Sequence, residues 1–325
     1  MKSIIRTMGV AMLCAMSTAA FAADDYPNKP ITMVIPFSAG GPTDVVGRVV
    51  AQSMSNVLKK QVIVENTVGA GGTIAAARVA RAAPDGYTLF LHHIGQSTAP
   101  SLYRSLPYNA VDSFEPIGLV TDVPMTLIAR KDFPAKDLKE LIAKLKADRS
   151  KISLANAGIG SASHLCGMLF MTAIDADLNT IPYKGTAPAM NDLMGGQVDI
   201  MCDQTTNTTS QIKGGRVKVY GVTTSKRNAA LPDVPTMAEA GLKGFEVAVW
   251  HGLYAPKGTP KPVIDKLSQA LQAALKDPAV VEKFAGLGTE PVAQSRATPE
   301  ALRAHLKAEI DKWSPIIKKA GVYAD

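Results

Sequence analysis

The run from Ile31 to Ile35 is apolar but for Thr32, and beyond the pair Gly40-Gly41 apolar residues return at helical spacing as Val45, Val46, Val49 and Val50. The first run is β-branched and apolar on both faces, which predicts a strand buried in a sheet; the second predicts a helix. Ile152–Asn156 followed by Gly-Ile-Gly-Ser-Ala-Ser-His164 repeats this grammar elsewhere in the chain. Further strands are predicted at Val62–Glu65, Thr88–His92, Gly118–Ala129, Asn179–Pro182, Val198–Cys202, Val217–Thr223 and Glu246–Tyr254, with helices between most of them. After Pro260 only helical patterns remain: Lys261–Leu275, Pro278–Leu287 and Thr298–Ala320. Alternation of this kind predicts an α/β fold with mostly parallel sheets flanked by helices. Gly118–Ala129 and Glu246–Tyr254 are long for buried strands and bracket a self-contained βα block. Reading both as crossovers predicts two lobes, the first from 27–124 and 249–325 and the second from 125–248, with a cleft and hinge between.

Each glycine turn offers the same chemistry. Glycine lets backbone approach a bound group, and the first amides of a following helix lack intrahelical partners, so the fitting guest is an anion such as a carboxylate. A tight turn that holds nothing is the plain alternative for either loop alone. Two such mouths suggest a cleft.

Met1–Ala22 has Lys2 and Arg6 ahead of an apolar stretch and ends Ala20-Phe21-Ala22, the pattern of an export signal cleaved near Ala22. A retained anchor helix is the alternative. Leu13 precedes Cys14, where lipid attachment needs a small residue. Beyond the signal no apolar run reaches the roughly 18 residues of a membrane span. Loss of Lys2 and Arg6 lowers the net charge of +7 to about +5. The remaining basic residues are scattered over surface-type helices with few aromatics, which argues against nucleic acid and leaves mild steering of small anions.

Enzyme signatures are missing. Ser161, Ser163 and His164 sit in no Gly-x-Ser-x-Gly elbow, and neighbours in sequence rarely form a nucleophile, base and acid. Gly69-Ala-Gly-Gly-Thr-Ile74 lacks the final small residue of a dinucleotide fingerprint and the acidic residue about twenty further on. No Gly-Lys-Ser/Thr occurs, and Cys and His lack metal-site spacing, so neither cofactor nor metal is expected.

Six motifs in order, Pro36–Asp44, Gly69–Gly72, Gly158–His164, Tyr183–Ala189, Gly195–Asp199 and Trp250–Pro260, resemble the solute receptors of tripartite tricarboxylate transporters, also called Bug receptors. The resemblance runs from about Tyr26 to the C-terminus. It implies a two-lobed periplasmic binding protein, acting as a monomer and without catalysis, that delivers a small carboxylate to integral membrane transporter subunits. Carried over, the first-lobe contacts are Phe37, Ser38, Gly40, Gly41 and Thr43, with Asp44 as a helix cap. The second-lobe contacts are Gly158, Gly160, Ser161 and Ser163, with Tyr183, Lys184, Gly185 and Thr186 as a rim loop. His164 either binds or braces the loop from behind.

Two departures bear on specificity. Cys202-Asp-Gln-Thr-Thr-Asn-Thr-Thr209 is polar where the family pattern is more apolar, so Asp203 and Thr205 are candidate contacts for a polar ligand tail, an ordinary Asx and Thr turn being the alternative. His92 and His93 are adjacent on a strand and are expected on opposite faces, with His93 reaching the cleft. The absence of an acidic cluster favours a dicarboxylate, hydroxy or aromatic acid over an amino acid. A binding protein that presents the same ligand to a membrane sensor remains open beside the transport receptor. Cys166 and Cys202 are either bridged, as an oxidising compartment permits, or two buried thiols.

Overall fold

The computed structural model describes residues 26–324, so the expected export signal lies outside the described residues. Nine strands form one sheet: β1 (Ile31–Ile35), β2 (Val62–Asn66), β3 (Thr88–His93), β4 (Phe114–Arg130), β5 (Ser153–Asn156), β6 (Asn179–Pro182), β7 (Ile200–Gln204), β8 (Val217–Val222) and β9 (Ala248–Pro256). Their order is β2-β1-β3-β9-β4-β7-β5-β6, with β8 also on β4. Parallel pairs lie at the two ends, β1 with β2 and β3, and β5 with β6 and β7. The centre is antiparallel, because the two crossover strands β4 and β9 run against their neighbours. The sheet is thus more mixed than the expected mostly parallel pattern.

Central β1 and β3 are buried along almost their whole length, whereas edge strand β2 alternates and leaves Ile63 exposed. β4 changes partners partway. It pairs β9 from Phe114 to Pro124, then β7 and β8 from Met125 to Arg130. Its register against β9 slips beside Pro116, and the hand-over falls at Pro124; proline has no N–H to give a ladder and is tolerated in strands at such irregularities.

The helices begin where the sequence places caps. Asp137, Ser161 and Thr298 accept from the N–H of Glu140, His164 and Ala301 respectively. Helix Lys261–Lys276 buries Val263, Ile264, Leu267 and Leu271 along one stripe. The polar run after Cys202 is not the ordinary Asx and Thr turn that stood as the alternative reading. Asp203 and Gln204 still belong to β7, and Thr205–Lys213 is helical with Thr205, Thr206, Thr208 and Thr209 buried. Threonine hydroxyls satisfied by neighbours, Thr205 by the Gly288 carbonyl and Thr208 by Thr126, let this weak helix former pack inward. Cys166 and Cys202, both fully buried, are joined by a disulfide with Cα atoms 6.0 Å apart.

Candidate functional site

β1 and β3 deliver their carboxyl ends, and the loops after them, toward the loops that follow β5, β6 and β7. The Ser38 N–H donates to the Lys184 carbonyl at 3.2 Å. Tyr103 donates to the Ile159 carbonyl at 3.0 Å, and Thr98 to that of Gly160 at 3.3 Å. Two glycines make this approach possible. A Cβ on Gly71 would stand 2.0 Å from the Ile159 carbonyl oxygen, and one on Gly185 would stand 2.1 Å from the Ser38 hydroxyl.

Where the loops meet, Phe37, Thr43 and His93 face Ser161, Ser163, Thr186, Asp203 and Gln204 across a small cavity of about 10 Å³, room for about one water. A crevice of about 620 Å³ adjoins it, lined by Phe37, Gly69 to Gly71, Tyr103, Gly158, Ile159, Tyr183 and Lys184. Phe37 borders both, and its ring stacks on His93 at 4.7 Å.

The expected residues separate on this geometry. Gly40, Gly41, Gly160 and Gly185 shape the loops without lining the cavity. The Gly40 amide, expected to face an anion, donates to Asp44 at 2.9 Å, because that carboxylate reaches back over the first turn of its helix and also takes Arg48 and Asn66. In the second loop the Gly158 amide donates to Asn156 and the Ala157 amide to Ser163. His164 turns its ring back to Gly160 and stays outside the cavity. Thr205 is directed away, to the Gly288 carbonyl at 2.9 Å. The expectation that His92 and His93 diverge does not hold: their ring centroids lie 4.8 Å apart. β3 ends at His93, and the next helix starts so soon that the Gly95 N–H donates to His93 Nδ1 at 2.9 Å, drawing the ring round.

Side-chain atoms, more than amides, remain to greet a guest. Thr186 Oγ1, Asp203 Oδ1 and Gln204 Oε1 at the cavity are buried and find no partner among the described residues; Ser38 Oγ is also unpaired but lines neither the cavity nor the crevice. Such groups are costly to bury unpaired. Burial pushes His93 well below its ordinary range, so it stands neutral, and among the described residues no cationic side chain lines the cavity. Among the described residues no group of three or more His, Cys, Asp or Glu side chains is disposed to hold a metal.

Sequence reasoning missed Gln204, Gly71, Tyr103 and His251. Gln204 stood inside the polar run, and Gly71 inside a motif already singled out. His251 pairs with His93 in the β3–β9 register and sets Nε2 3.3 Å from the Thr43 hydroxyl, a relation no local pattern encodes.

Ser161 is the N-cap of helix Ala162–Ile174, and its hydroxyl also lies 3.1 Å from that of Ser163. Ser161→Ala is expected to lower stability by about 1 kcal/mol, the usual effect of a lost cap, measured by denaturant unfolding. An unchanged midpoint and slope would show that the cap contributes nothing.

A mixed sheet whose two halves share crossover strands and close their loops on each other is the fold of two-lobed periplasmic solute-binding proteins. The structure known as periplasmic binding protein BugD superposes with a TM-score of 0.90 at 59% identity, covering 92% of this chain and 99% of that one. MatC from Rhodopseudomonas palustris, solved with bound malate, does so with a TM-score of 0.87 at 40% identity, covering 90% and 100%. The UPF0065 protein in the TAR-I ttuE-ttuC' intergenic region of Agrobacterium vitis is 52% identical over 302 residues, 93% of this chain and 87% of that protein. Residues 46–322 match the model of the tripartite tricarboxylate transporter family receptor, and the chain belongs to that family. It is a family of periplasmic receptors, not of enzymes.

Proposed function

We propose that this chain is a non-catalytic periplasmic receptor that captures a small carboxylate between two lobes and delivers it, as a monomer, to the membrane subunits of a tripartite tricarboxylate-type transporter. The signal would be removed near Ala22, and the lobes would be 27–124 with 249–325, and 125–248. One observation carries the reading: glycine loops from both halves of the sheet converge on a buried cavity whose unpaired atoms are hydroxyl, amide and carboxyl groups. Of these atoms the hydroxyls can donate to a carboxylate as they stand, while the Gln204 amide oxygen is an acceptor suited to a ligand hydroxyl; the ligand's charge would be stabilised by dipoles. The hand-over of β4 at Pro124 supports a hinge there. The malate bound to MatC supports a hydroxy or dicarboxylic acid. Tyr183 and Lys184 would form the rim, and Phe37 would cover the ligand from the first lobe.

A ligand that touches loops of both lobes should draw them together. Solution scattering with a saturating dicarboxylate is expected to show a smaller radius of gyration than without it. No change, with binding confirmed by calorimetry, would place the site in one lobe or make the cleft rigid.

A further inference from the structure

Among the described residues Asp44 and Asp203 are the buried carboxylates, and Asp203 lacks the cation that Asp44 has in Arg48. It ends β7 at the edge of the cavity, is 1% exposed, and has no cation beside it. Asn207 donates to its Oδ2 at 2.6 Å, while Oδ1 has no partner and borders the cavity lining. By contrast Asp44 is paired with Arg48, Asp199 with Arg130 and Asp122 with Arg296.

Building on the carboxylate reading above, we propose that Asp203 is a specificity residue that carries a proton in the bound state and donates it from Oδ1 to a ligand carboxylate. Two ionised carboxylates cannot share a dry cavity with no cation, so one of them must hold a proton. The hydroxyls that line the cavity, those of Thr43, Ser161, Ser163 and Thr186, can donate to the ligand and so favour its ionised form, which leaves the proton on Asp203. Protonated, Asp203 supplies the O–H donor that a carboxylate wants, and the bond is of the short, charge-assisted kind.

The groups facing Asp203 leave this assignment unopposed. From β3 comes His93, held neutral by burial; from helix Pro42–Leu58 comes Thr43, since Asp44 there is turned to Arg48. Helix Ala162–Ile174 presents Ser163, with His164 turned back to Gly160; helix Thr186–Met194 presents Thr186, with Asp192 bonded instead to Tyr183. β4 contributes Thr126 and the helix after β7 contributes Asn207. Burial raises the Asp203 carboxyl to about 7; the Asn207 amide, the Gln204 N–H and the Thr186 hydroxyl pull the other way, the last from outside full hydrogen-bond geometry.

Binding of a carboxylate should therefore take up a proton. Calorimetry with malate, succinate and adipate as probes, at pH 8 in buffers of different ionisation enthalpy, is expected to show uptake of about 0.9 proton per ligand bound. Affinity should fall about tenfold per pH unit above pH 7. Asp203→Asn should bind without proton uptake and with affinity flat in pH. Binding by wild type with no uptake and a flat pH profile would overturn the role of Asp203 and leave the carboxylate receptor intact. Affinity that rises with pH would mean an ionised Asp203 receiving an ammonium or amide, which also overturns the proposal. No binding of any carboxylate probe at any pH would overturn both readings.

Discussion

Replacing Cys166 and Cys202 together by alanine is expected to lower the unfolding free energy by about 4 kcal/mol. The bridge closes a loop with a sequence separation of 36 residues. In the chain-entropy account a loop of that size restricts the unfolded ensemble by between the ~3 kcal/mol of a 15-residue loop and the ~4.7 of a 100-residue one. Both side chains are fully buried, so the vacated sulfur volume adds in the same direction. The bridge ties helix Ala162–Ile174, which begins at Ser161, to β7, which ends at Asp203 and Gln204. The consequence should be local as well as global: on the carboxylate reading proposed above, affinity should drop, because the Ser161 and Asp203 sides of the cavity lose their common anchor. Guanidinium unfolding of the oxidised wild type and the double variant measures the first effect. A difference below about 1 kcal/mol would mean that native strain or residual unfolded structure cancels the constraint.

Much of this architecture can be read from the chain because its signals are local. Ile31–Ile35 is a strand for the reason its composition suggests, and Thr298 caps its helix as its position before Pro299 and Glu300 implies. The long apolar stretch around Gly118 to Ala129 is one continuous strand that changes partners at a proline. Local composition leaves Thr205–Lys213 open, because threonine and asparagine favour a turn; buried packing of four threonines makes it helical. The cavity is legible as a list of residues but not as chemistry. Which amides stay open depends on who is near: Asp44 reaches the Gly40 amide, and Ser163 the Ala157 amide. The unpaired state of Asp203 likewise follows from what β3, β4 and three helices do not place beside it, and that is a property of the assembled fold.

Acidification should unfold this protein early. His92, His93 and His251 form a buried cluster in which neighbouring rings lie 4.8 and 5.9 Å apart, and Nδ1 of both His92 and His251 has no partner among the described residues. Burial lowers His92 to about 3 and His251 to about 4, and sends His93 well below its usual range. All three are neutral in the native state and gain a proton on unfolding once the pH falls below about 6.5, their ordinary value. Folded values below unfolded values mean that the stability is complete above pH 6.5 and is lost progressively as the pH falls toward the folded values. Asp203 works in the opposite sense: raised to about 7, it is protonated when folded and ionised when unfolded until about pH 4, so it gains stability over the same window. Three protons taken up by this cluster outnumber the one released by Asp203, so stability falls as the pH falls, and His164 and His305, also lowered by burial, act in the same direction. Between pH 6.5 and 4.5 the loss should be on the order of several kcal/mol, a large part of an ordinary domain's stability. Guanidinium midpoints at pH 7, 6, 5 and 4.5 measure it. His251→Gln, which keeps a polar group near Thr43 but does not titrate, should reduce the slope by about 1.4 kcal/mol per pH unit. Stability that is flat from pH 6.5 to 4.5 in the wild type would show that the cluster accepts protons without unfolding, and would remove its neutral, buried character from the account of this site.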